Sequence, residues 1–269
     1  MEKDFSREIL DANIAVHDVE AQYYDVIHSE IFNKIEQKRL GSTIKKADAL
    51  IEHNEKRALD FGAGTGNMTG KLLAIGYRVT AVDISEKMIR TLERKYASHV
   101  ANKTLVTLVG EIESMNLPRE GFDLVTCYSV LHHLPDYLMT LRTLASLTKK
   151  GGVLLLDHEP SDVWWNRTRT ERYMVEAMHL ADRGLNRIHR RLAMGREKLP
   201  QLDYSMSDYW ATTERHVDHE LIRRTLVELG FASVTRENYH LSRCYYPNLL
   251  YWVYAISCRP DHTLWIAKK

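Results

Sequence analysis

The chain has few cysteines and no long apolar segment. Its 269 residues include only Cys127, Cys244 and Cys258, which lie far apart and form no Cys-x-x-Cys pair. This count excludes a disulfide framework and a cysteine-based zinc site, and it suits a reducing compartment. No apolar run reaches the roughly 20 residues of a membrane span. The charged start, Met1–Asp4, leads into no signal-peptide segment, so we expect a cytoplasmic protein.

An excess of charge of one sign is also absent. Lysine and arginine number 37 against 36 acidic residues, which gives a net charge of +1. A balanced chain lacks the field that draws a protein to nucleic acid or to a membrane surface. The composition therefore does not favour nucleic acid as a partner. The length suits one large domain, or a core with an appendage.

Three glycines at alternate positions form the most informative motif. A short apolar segment ends at Asp60, Gly62, Gly64 and Gly66 follow, and a run that can start a helix begins at Asn67. Glycines allow positive φ and close approach of a ligand, and free N–H groups at a helix start favour an electron-rich group. The motif predicts a nucleotide-type cofactor site. The alternative is a glycine turn that only packs the helix on the strand.

Beyond residue 58 the pattern alternates between strands and helices, which predicts a parallel α/β sheet. The first strand ends at Asp60. Six further strands are predicted at Tyr77–Asp83, Thr104–Gly110, Phe122–Tyr128, Val153–Asp157, Phe231–Tyr239 and Leu250–Ser257. The tail Arg259–Lys269 is interpreted as a short extension in which Leu264–Ile266 docks on the body or on a second subunit.

Acidic residues follow two of these strands. Asp83 ends the second strand about 20 residues past the glycine loop, where a carboxylate meets ribose hydroxyls in cofactor-binding α/β folds. Ile84 follows it, and Glu111 and Ile112 follow the third strand. We therefore expect Asp83 to bind a ribose, with Ile84 beside it.

These motifs together resemble a known family. Asp60–Gly66 resembles motif I of class I S-adenosylmethionine-dependent methyltransferases. The fourth strand and its continuation to His133 closely resemble motif IV of small-molecule methyltransferases of the ubiquinone and menaquinone type. The resemblance covers about residues 58–160 and 213–258. It implies a Rossmann-like, seven-stranded, mostly parallel sheet with helices on both faces and an antiparallel last strand.

The resemblance also implies a cofactor and its contacts. The cofactor is S-adenosylmethionine and the product is S-adenosylhomocysteine. Glu111 accepts a hydrogen bond from the adenine amino group, and Ile112 lies against the ring. The backbone of Cys127 and Tyr128 lines the methionine part. The alternative for Glu111 is that it caps the following turn.

Four side chains at the ends of the fourth and fifth strands are candidates for a general base: His132, His133, His158 and Glu159. His158 and Glu159 have the best positions, because they follow the fifth strand beside the expected cofactor. The alternative is that all four stabilise loops or the core. No metal site is predicted, because the fourth strand ends in Cys127 and Tyr128 and supplies no carboxylate.

Two helical pieces accompany the predicted core of residues 58–160 and 213–269. Residues 1–57 are expected to form a cap, with helices at Ser29–Leu40, ended by Gly41, and at Thr43–His53. Tyr24 in this cap is expected to contact the cofactor; the alternative is an aromatic of the core.

Residues 161–212 form the second piece, an arginine-rich helical insertion and substrate lid with helices at Val163–Ala181 and Leu185–Met194. Its arginines either bind an anionic substrate group or form a solvated face.

The predicted function is in-line transfer of a methyl group from S-adenosylmethionine to an O, N or C nucleophile of a small molecule. Three alternatives stay open: a nicotinamide-dependent oxidoreductase, an inactive cofactor-binding regulator or assembly factor, and a methyltransferase for RNA or protein. The motif for amino-group targets, Asn/Asp-Pro-Pro-aromatic, is absent at Cys127–Val130. The expected partners are a small-molecule acceptor and a second copy of the chain.

Overall fold

The computed structural model describes residues 2–52, 55–185, 191–192, 194, 202, 204–211, 216–243 and 249–269. The predicted helix Leu185–Met194 and Cys244 lie largely outside these residues. No helix among the described residues is both long and apolar enough to cross a bilayer.

Seven strands form one sheet. Their bounds are β1 Arg57–Phe61, β2 Arg78–Asp83, β3 Leu105–Val109, β4 Phe122–Tyr128, β5 Thr148–Pro160, β6 Ser233–Tyr239 and β7 His262–Lys268. Their order is β3-β2-β1-β4-β5-β7-β6. Strands β1 to β5 pair in parallel, and β7 is antiparallel to both of its neighbours. The prediction of a seven-stranded, mostly parallel sheet is confirmed.

The order places a topological switch point between β1 and β4. From β1 the chain builds β2 and β3 on one side, and it later returns to build β4 and β5 on the other. Open α/β sheets bind ligands in the crevice at such a point, outside the carboxyl ends of the strands. Residues that follow β1, β2, β4 and β5 therefore meet at one edge.

Helices cover both faces of the sheet, as predicted. Their bounds are α1 Glu2–Glu20, α2 Tyr24–Ile27, α3 Ser29–Phe32, α4 Lys34–Ala49, α5 Asn67–Ala74, α6 Glu86–Lys95, α7 Ala97–Ala101, α8 Tyr137–Leu147, α9 Asp162–Trp165, α10 Arg169–Leu185, α11 His219–Glu228 and α12 Leu249–Ser257. Leu141 of α8 and Leu226 of α11 belong to one buried cluster. Leu40 of α4 and Leu72 of α5 belong to the other.

The predicted end of a helix at Gly41 is wrong. Helix α4 continues through Gly41, which does not adopt positive φ. Leu40 and Ile44 on either side are buried, so burial of the apolar face outweighs the low helix propensity of one glycine. The break lies instead at Asn33, whose side chain accepts hydrogen bonds from the N–H groups of Ile35 and Glu36.

The predicted seventh strand at Leu250–Ser257 is also wrong, because this segment is helix α12. Tyr254 is buried against Val175 and Met178 of α10, whereas Ile256 is 85% exposed. The seventh strand is formed by the tail, where Leu264–Ile266 is buried within the molecule. The docking of the tail on the body is thus confirmed, in the form of a strand.

In the insertion after β5, the structure has two helices where the single helix Val163–Ala181 was predicted. Helix α9 ends at Trp165, and α10 begins at Arg169. Between residues 161 and 211 the described part of the chain contains no strand beyond β5, as expected. The division of the chain into cap, core and lid stays a prediction.

Candidate active site

Two adjoining cavities lie at the carboxyl edge of the sheet. The first has a volume of about 140 Å³, and the second about 230 Å³. Four residues line both cavities: His17, Tyr24, Ser129 and His133. We call these four the shared wall. Its position means that a group bound in the first cavity can face a group bound in the second.

The glycine loop forms one side of the first cavity. Gly62 has φ +68°, and a Cβ added there would lie 2.2 Å from Cγ2 of Val130. Gly64 has φ +51°, and its N–H donates to Oδ2 of Asp83 at 2.8 Å. Both positions therefore need glycine, one for space and both for conformation. The backbone of the loop therefore contacts Asp83, which with Ile84 forms what we call the floor of the cavity.

Asp83 and Ile84 lie on that floor. Oδ1 of Asp83 accepts a hydrogen bond from the N–H of Ser85 at 2.8 Å. Burial raises the pKa of the Asp83 carboxyl, while the backbone N–H groups of Ser85 and Gly64 oppose this shift. The two N–H groups fix the carboxylate without a cation, which leaves its remaining lone pairs for a ligand.

The far end of the first cavity is lined by Glu111 and Ile112. Ile112 is buried in the core. The Glu111 carboxylate lies at the rim, where Oε1 accepts a hydrogen bond from Arg7 of α1 at 3.3 Å. Helix α1 also contributes Leu10 and Asn13 to this cavity. Helix α1 therefore lines the predicted cofactor site.

Three predicted cofactor residues, Asp60, Gly66 and Cys127, line neither cavity. Asp60 accepts hydrogen bonds from the hydroxyls of Thr69 at 2.6 Å and Thr126 at 3.0 Å, and burial raises its pKa to about 6. Gly66 has φ +90° beside the ring of Tyr96. Cys127 is buried in the core. These residues shape the loop and the strand end.

The second cavity is rich in histidine. Seven histidines line it: His17, His28, His132, His133, His158, His179 and His262. Nδ1 of His28 lies 2.7 Å from Glu30, and its Nε2 lies 3.2 Å from Glu20. Burial opposes a charge on His28, but Glu30 and Glu20 together raise its pKa to about 10. His28 is therefore a cation held by two carboxylates.

Glu159 does not reach either cavity. Its carboxylate accepts hydrogen bonds from the backbone N–H groups of Val130 and Leu131 at 2.9 Å and lies 2.8 Å from Nδ1 of His132. Burial favours protonation, but His132 and the N–H groups lower the pKa of Glu159. This carboxylate is fully used in holding the turn after β4. Glu159 thus lies behind the cavity lining, whereas the three histidines that were predicted with it line the second cavity.

His158 lines the second cavity and belongs to a buried network. Its Nδ1 lies 2.9 Å from the hydroxyl of Tyr128, which donates to Oε1 of Glu36 at 2.9 Å. Arg39 donates to Glu36 at 2.8 Å and to Asp157 at 3.1 Å. Helix α4 of the cap thus reaches the ends of β4 and β5.

Sequence reasoning missed three residues of this site: His17, Glu36 and Arg39. Each lies on a helix of the cap, far in sequence from the core motifs. Glu36 and Arg39 are spaced like an ordinary ion pair on the surface of a helix, so the pattern gives no sign that they are buried. His17 follows the apolar Val16 on α1, and nothing in its neighbours distinguishes it from a surface histidine. Tyr24, which was predicted, lies on the shared wall.

Comparison with known proteins finds a family model that matches part of this chain. Residues 59–156 match the family model described as "Methyltransferase domain". The segment from β1 to β5 is therefore similar to methyltransferase domains. The resemblance seen in the sequence is therefore confirmed for this segment, whereas the helical cap and the insertion lie outside the match.

Curated relatives of the methyltransferase domain match over the same part of the chain. A ubiquinone biosynthesis O-methyltransferase of Xanthomonas campestris pv. campestris is 34% identical over 101 residues, which are 37% of this chain and 41% of the relative. The uncharacterized methyltransferase YcgJ of Bacillus subtilis is 31% identical over 120 residues, 44% and 46% of the two chains. The match spans less than half the length of these relatives.

Solved structures resemble the methyltransferase domain together with much of its surroundings. A SAM-dependent methyltransferase from Archaeoglobus fulgidus has a TM-score of 0.56 at 17% identity, covering 92% of this chain and all of that one. Phosphoethanolamine N-methyltransferase 2 of Haemonchus contortus, in complex with S-adenosyl-L-methionine, has a TM-score of 0.59 at 13% identity, covering 93% and 56%. At these identities the likeness establishes the fold.

Proposed function

We propose that the protein is an S-adenosylmethionine-dependent methyltransferase that acts on a small molecule. The observation that carries this proposal is the pair of cavities with a shared wall. The first cavity has a glycine loop and a carboxylate, Asp83, at the switch point of a methyltransferase domain. The second cavity adjoins the first across the shared wall.

The cofactor lies in the first cavity. The backbone of Gly62 and Gly64 lines its methionine part, and the free lone pairs of Asp83 accept from the ribose hydroxyls. Ile84 and Ile112 contact the adenine ring, and Glu111 at the rim accepts from its amino group. Tyr128 also lines this cavity, whereas Asp60, Gly66 and Cys127 act through the shape of the loop and the strand ends. The sulfonium then lies at the shared wall, beside Tyr24.

The acceptor lies in the second cavity. In-line displacement requires the nucleophile, the methyl carbon and the sulfur to be aligned, and such positioning removes on the order of 7 kcal/mol or more of the barrier. The shared wall provides a place for this alignment. A cavity of about 230 Å³ suits a small molecule better than a segment of RNA or protein, which supports a small-molecule acceptor. Association into a homodimer stays a prediction.

Two measurements test this function. Isothermal titration with S-adenosylmethionine and with NAD distinguishes the proposed cofactor from that of an oxidoreductase; binding of NAD alone contradicts the proposal. Incubation of the protein with tritiated S-adenosylmethionine and a cell extract then tests transfer, with the label expected in small molecules. Label found in RNA or protein contradicts the proposed acceptor class. Tight cofactor binding without any transfer supports a regulator instead.

A further inference from the structure

The charged groups that line the second cavity already have partners within the protein. Five pairs account for them: His28 with Glu20 and with Glu30, His133 with Asp208, His132 with Glu159, and Arg243 with Asp261. The hydroxyl of Tyr204 also donates to Glu20. Within the described part of the chain, every lining charge thus has a partner, and the one negative charge in excess, at His28 with its two carboxylates, is bound by the Tyr204 hydroxyl. A charged acceptor would lose its hydration without meeting an unpaired counter-ion, which is costly.

The cavity is polar instead through its imidazoles. Five rings bind the protein through Nδ1, to the carbonyls of Asn13 and Ser207, the carboxylates of Glu159 and Asp261, and the hydroxyl of Tyr128. Among the described residues, the Nε2 atoms of these rings have no hydrogen-bond partner. Burial lowers the pKa of His17 and of His262, so these two rings are neutral. Their Nδ1 partners, a carbonyl and a carboxylate, only accept, so Nδ1 carries the proton and Nε2 presents a lone pair. Such acceptors suit the hydroxyl groups of an uncharged molecule.

His158 is distinguished among these rings by a chain of two hydrogen bonds. Because the Tyr128 hydroxyl donates its proton to Glu36, its oxygen accepts from Nδ1 of His158. Burial favours a neutral Glu36, but its contacts with Arg39 and His158 lower the pKa of this carboxyl to about 2. An ionised carboxylate therefore stands behind the ring, and it stabilises the imidazolium that forms when Nε2 accepts a proton.

The backbone of His158 is held in an unusual conformation. Its φ is +64°, which a side chain with a Cβ rarely adopts and which costs of order 1–3 kcal/mol. The N–H of His158 donates to Oδ1 of Asp157 at 2.6 Å, and Arg39 binds the other oxygen. The N–H of Ser129, on the shared wall, donates to the carbonyl of Asp157 at 2.8 Å. This conformation therefore places His158 in the lining of the second cavity, next in the chain to the residue that binds the shared wall at Ser129.

We propose that His158 is the general base for methylation of a hydroxyl group on an uncharged acceptor, and that Tyr128 and Glu36 are its positioning residues. The inference rests on the proposed function. The acceptor oxygen forms a bond to the methyl carbon, and the carbon–sulfur bond breaks with its electron pair left on sulfur. The hydroxyl proton moves to Nε2 of His158. The products are a methyl ether, S-adenosylhomocysteine and a protonated His158.

The tautomer of His158 is the first test. Long-range ¹H–¹⁵N correlation spectra of ¹⁵N-histidine-labelled protein with S-adenosylhomocysteine report which ring nitrogen is protonated, and His158→Gln assigns the signal. We expect a neutral ring protonated at Nδ1 at pH 8, and a changed Nδ1 shift in Tyr128→Phe. A neutral ring protonated at Nε2 overturns the assignment, because it has no lone pair facing the cavity.

The charge of the acceptor is the second test. Three one-ring probes, catechol, benzylamine and benzoate, are titrated into the complex with S-adenosylhomocysteine. We expect catechol to bind at least about tenfold more tightly than either ion, since each ion loses hydration without a partner. Equal or tighter binding of benzylamine or benzoate overturns the uncharged acceptor, as does an absence of binding by catechol.

Transfer from tritiated S-adenosylmethionine to catechol tests the base. His158→Gln is expected to lower kcat about 100-fold or more. Tyr128→Phe and Glu36→Gln are expected to lower it roughly tenfold while KM for catechol changes less than about threefold. The matched control is Tyr77→Phe, which also removes a hydroxyl that donates to a carboxylate, that of Asp48 at 2.6 Å, and is expected to leave kcat unchanged.

The two proposals fail in different ways. A wild-type protein that does not bind S-adenosylmethionine contradicts the proposed function itself. If the wild type binds the cofactor but transfers no methyl group to catechol, the hydroxyl acceptor is contradicted. If the wild type and His158→Gln transfer the methyl group at the same rate, the role of His158 as the base is contradicted. Neither result contradicts the proposed function. A rise in KM with unchanged kcat in Tyr128→Phe shows a structural role for Tyr128 and overturns its positioning role.

Discussion

Asp60 and Asp83 are carboxylates at the ends of neighbouring strands, yet their surroundings differ. Asp60 is enclosed by the hydroxyls of Thr69 and Thr126 and ties β1 to β4 and α5. Asp83 is bound by backbone N–H groups and lines the first cavity. The position of an aspartate in the motif therefore does not indicate whether its carboxylate contacts the ligand. The hydrogen-bond partners of the two carboxylates distinguish them.

Asp60 gives a pH-dependent prediction. Burial raises its pKa from 3.8 to about 6, so the folded state holds the proton more tightly than the unfolded chain. The stability from this group is fully present below pH 3.8 and is lost as pH rises through 6. In Asp60→Asn this loss is absent. The free energy of unfolding is measured in urea for both proteins. Relative to the wild type, that of the variant is expected to rise by about 2 kcal/mol between pH 4.5 and pH 7.5. A difference between the two proteins that is the same at both pH values contradicts this.

At the residue scale, the sequence predicts what is local. The glycine loop and Asp83 lie within one strand–loop–helix–strand unit, so their spacing alone brings them together. His17 and Glu36 reach the site only because two cap helices pack across the strand ends, which no local pattern encodes. Glu159 was predicted as a base from its place after β5. Its side chain turns instead to the backbone of the neighbouring turn.

Two glycines in different elements give an element-scale prediction. Gly41 lies inside α4 without positive φ, and a Cβ there meets nothing within 4 Å. Gly41→Ala is therefore expected to stabilise the protein by about 0.5–1 kcal/mol. Gly76 has equal space but φ +89°, so Gly76→Ala is the matched control and is expected to destabilise. Thermal unfolding measures both; a destabilising Gly41→Ala means that α4 breaks at this glycine after all.

Gly62 gives a sharper prediction for the loop. Its φ is +68° and the new Cβ would overlap Val130, so Gly62→Ala must displace the loop or the turn after β4. We expect a loss of at least about 1 kcal/mol of stability, and affinity for S-adenosylmethionine lower than in Gly76→Ala. Titration calorimetry at equal folded fraction measures this. Unchanged affinity would mean that the cofactor does not contact the loop.

The elements that were predicted wrongly are those whose apolar residues follow neither a helical nor a strand periodicity. The segment Leu249–Ser257 is aromatic and β-branched, which favours a strand, but α10 offers it a helical partner. The tail then supplies β7. By contrast, the continuous apolar run Val153–Leu156 was enough to predict a central strand, and these residues are buried in β5.

At the scale of the whole molecule, the N-terminal helix closes the site. Helix α1 lines the first cavity through Leu10, Asn13 and His17. It is joined to the core by the buried side chains of Ile9 and Val16 and by polar contacts, such as that of Asn13 with the carbonyl of His133 at 3.1 Å. Segments near a chain terminus open at lower free-energy cost than the centre of a core. The cofactor is therefore expected to hold α1 in place.

Hydrogen exchange tests this closure. S-adenosylhomocysteine at saturation is expected to slow amide exchange in residues 9–20 at least about tenfold, because ligand binding must be lost before α1 opens. Helix α11, which lines neither cavity, is the internal control and is expected to change little. Equal slowing in both helices would indicate global stabilisation, and no change in α1 would place it outside the closed site.

The central claim is that the first cavity binds S-adenosylmethionine through Asp83, and titration calorimetry tests it most directly. The wild type is expected to bind one cofactor per chain. Asp83→Asn is expected to bind about 5- to 150-fold more weakly, since it loses charged hydrogen bonds of about 1–3 kcal/mol. Asp162→Asn, at an exposed aspartate paired with Arg236, is expected to bind like the wild type. Absence of binding by the wild type, or equal affinity in Asp83→Asn, would contradict the account.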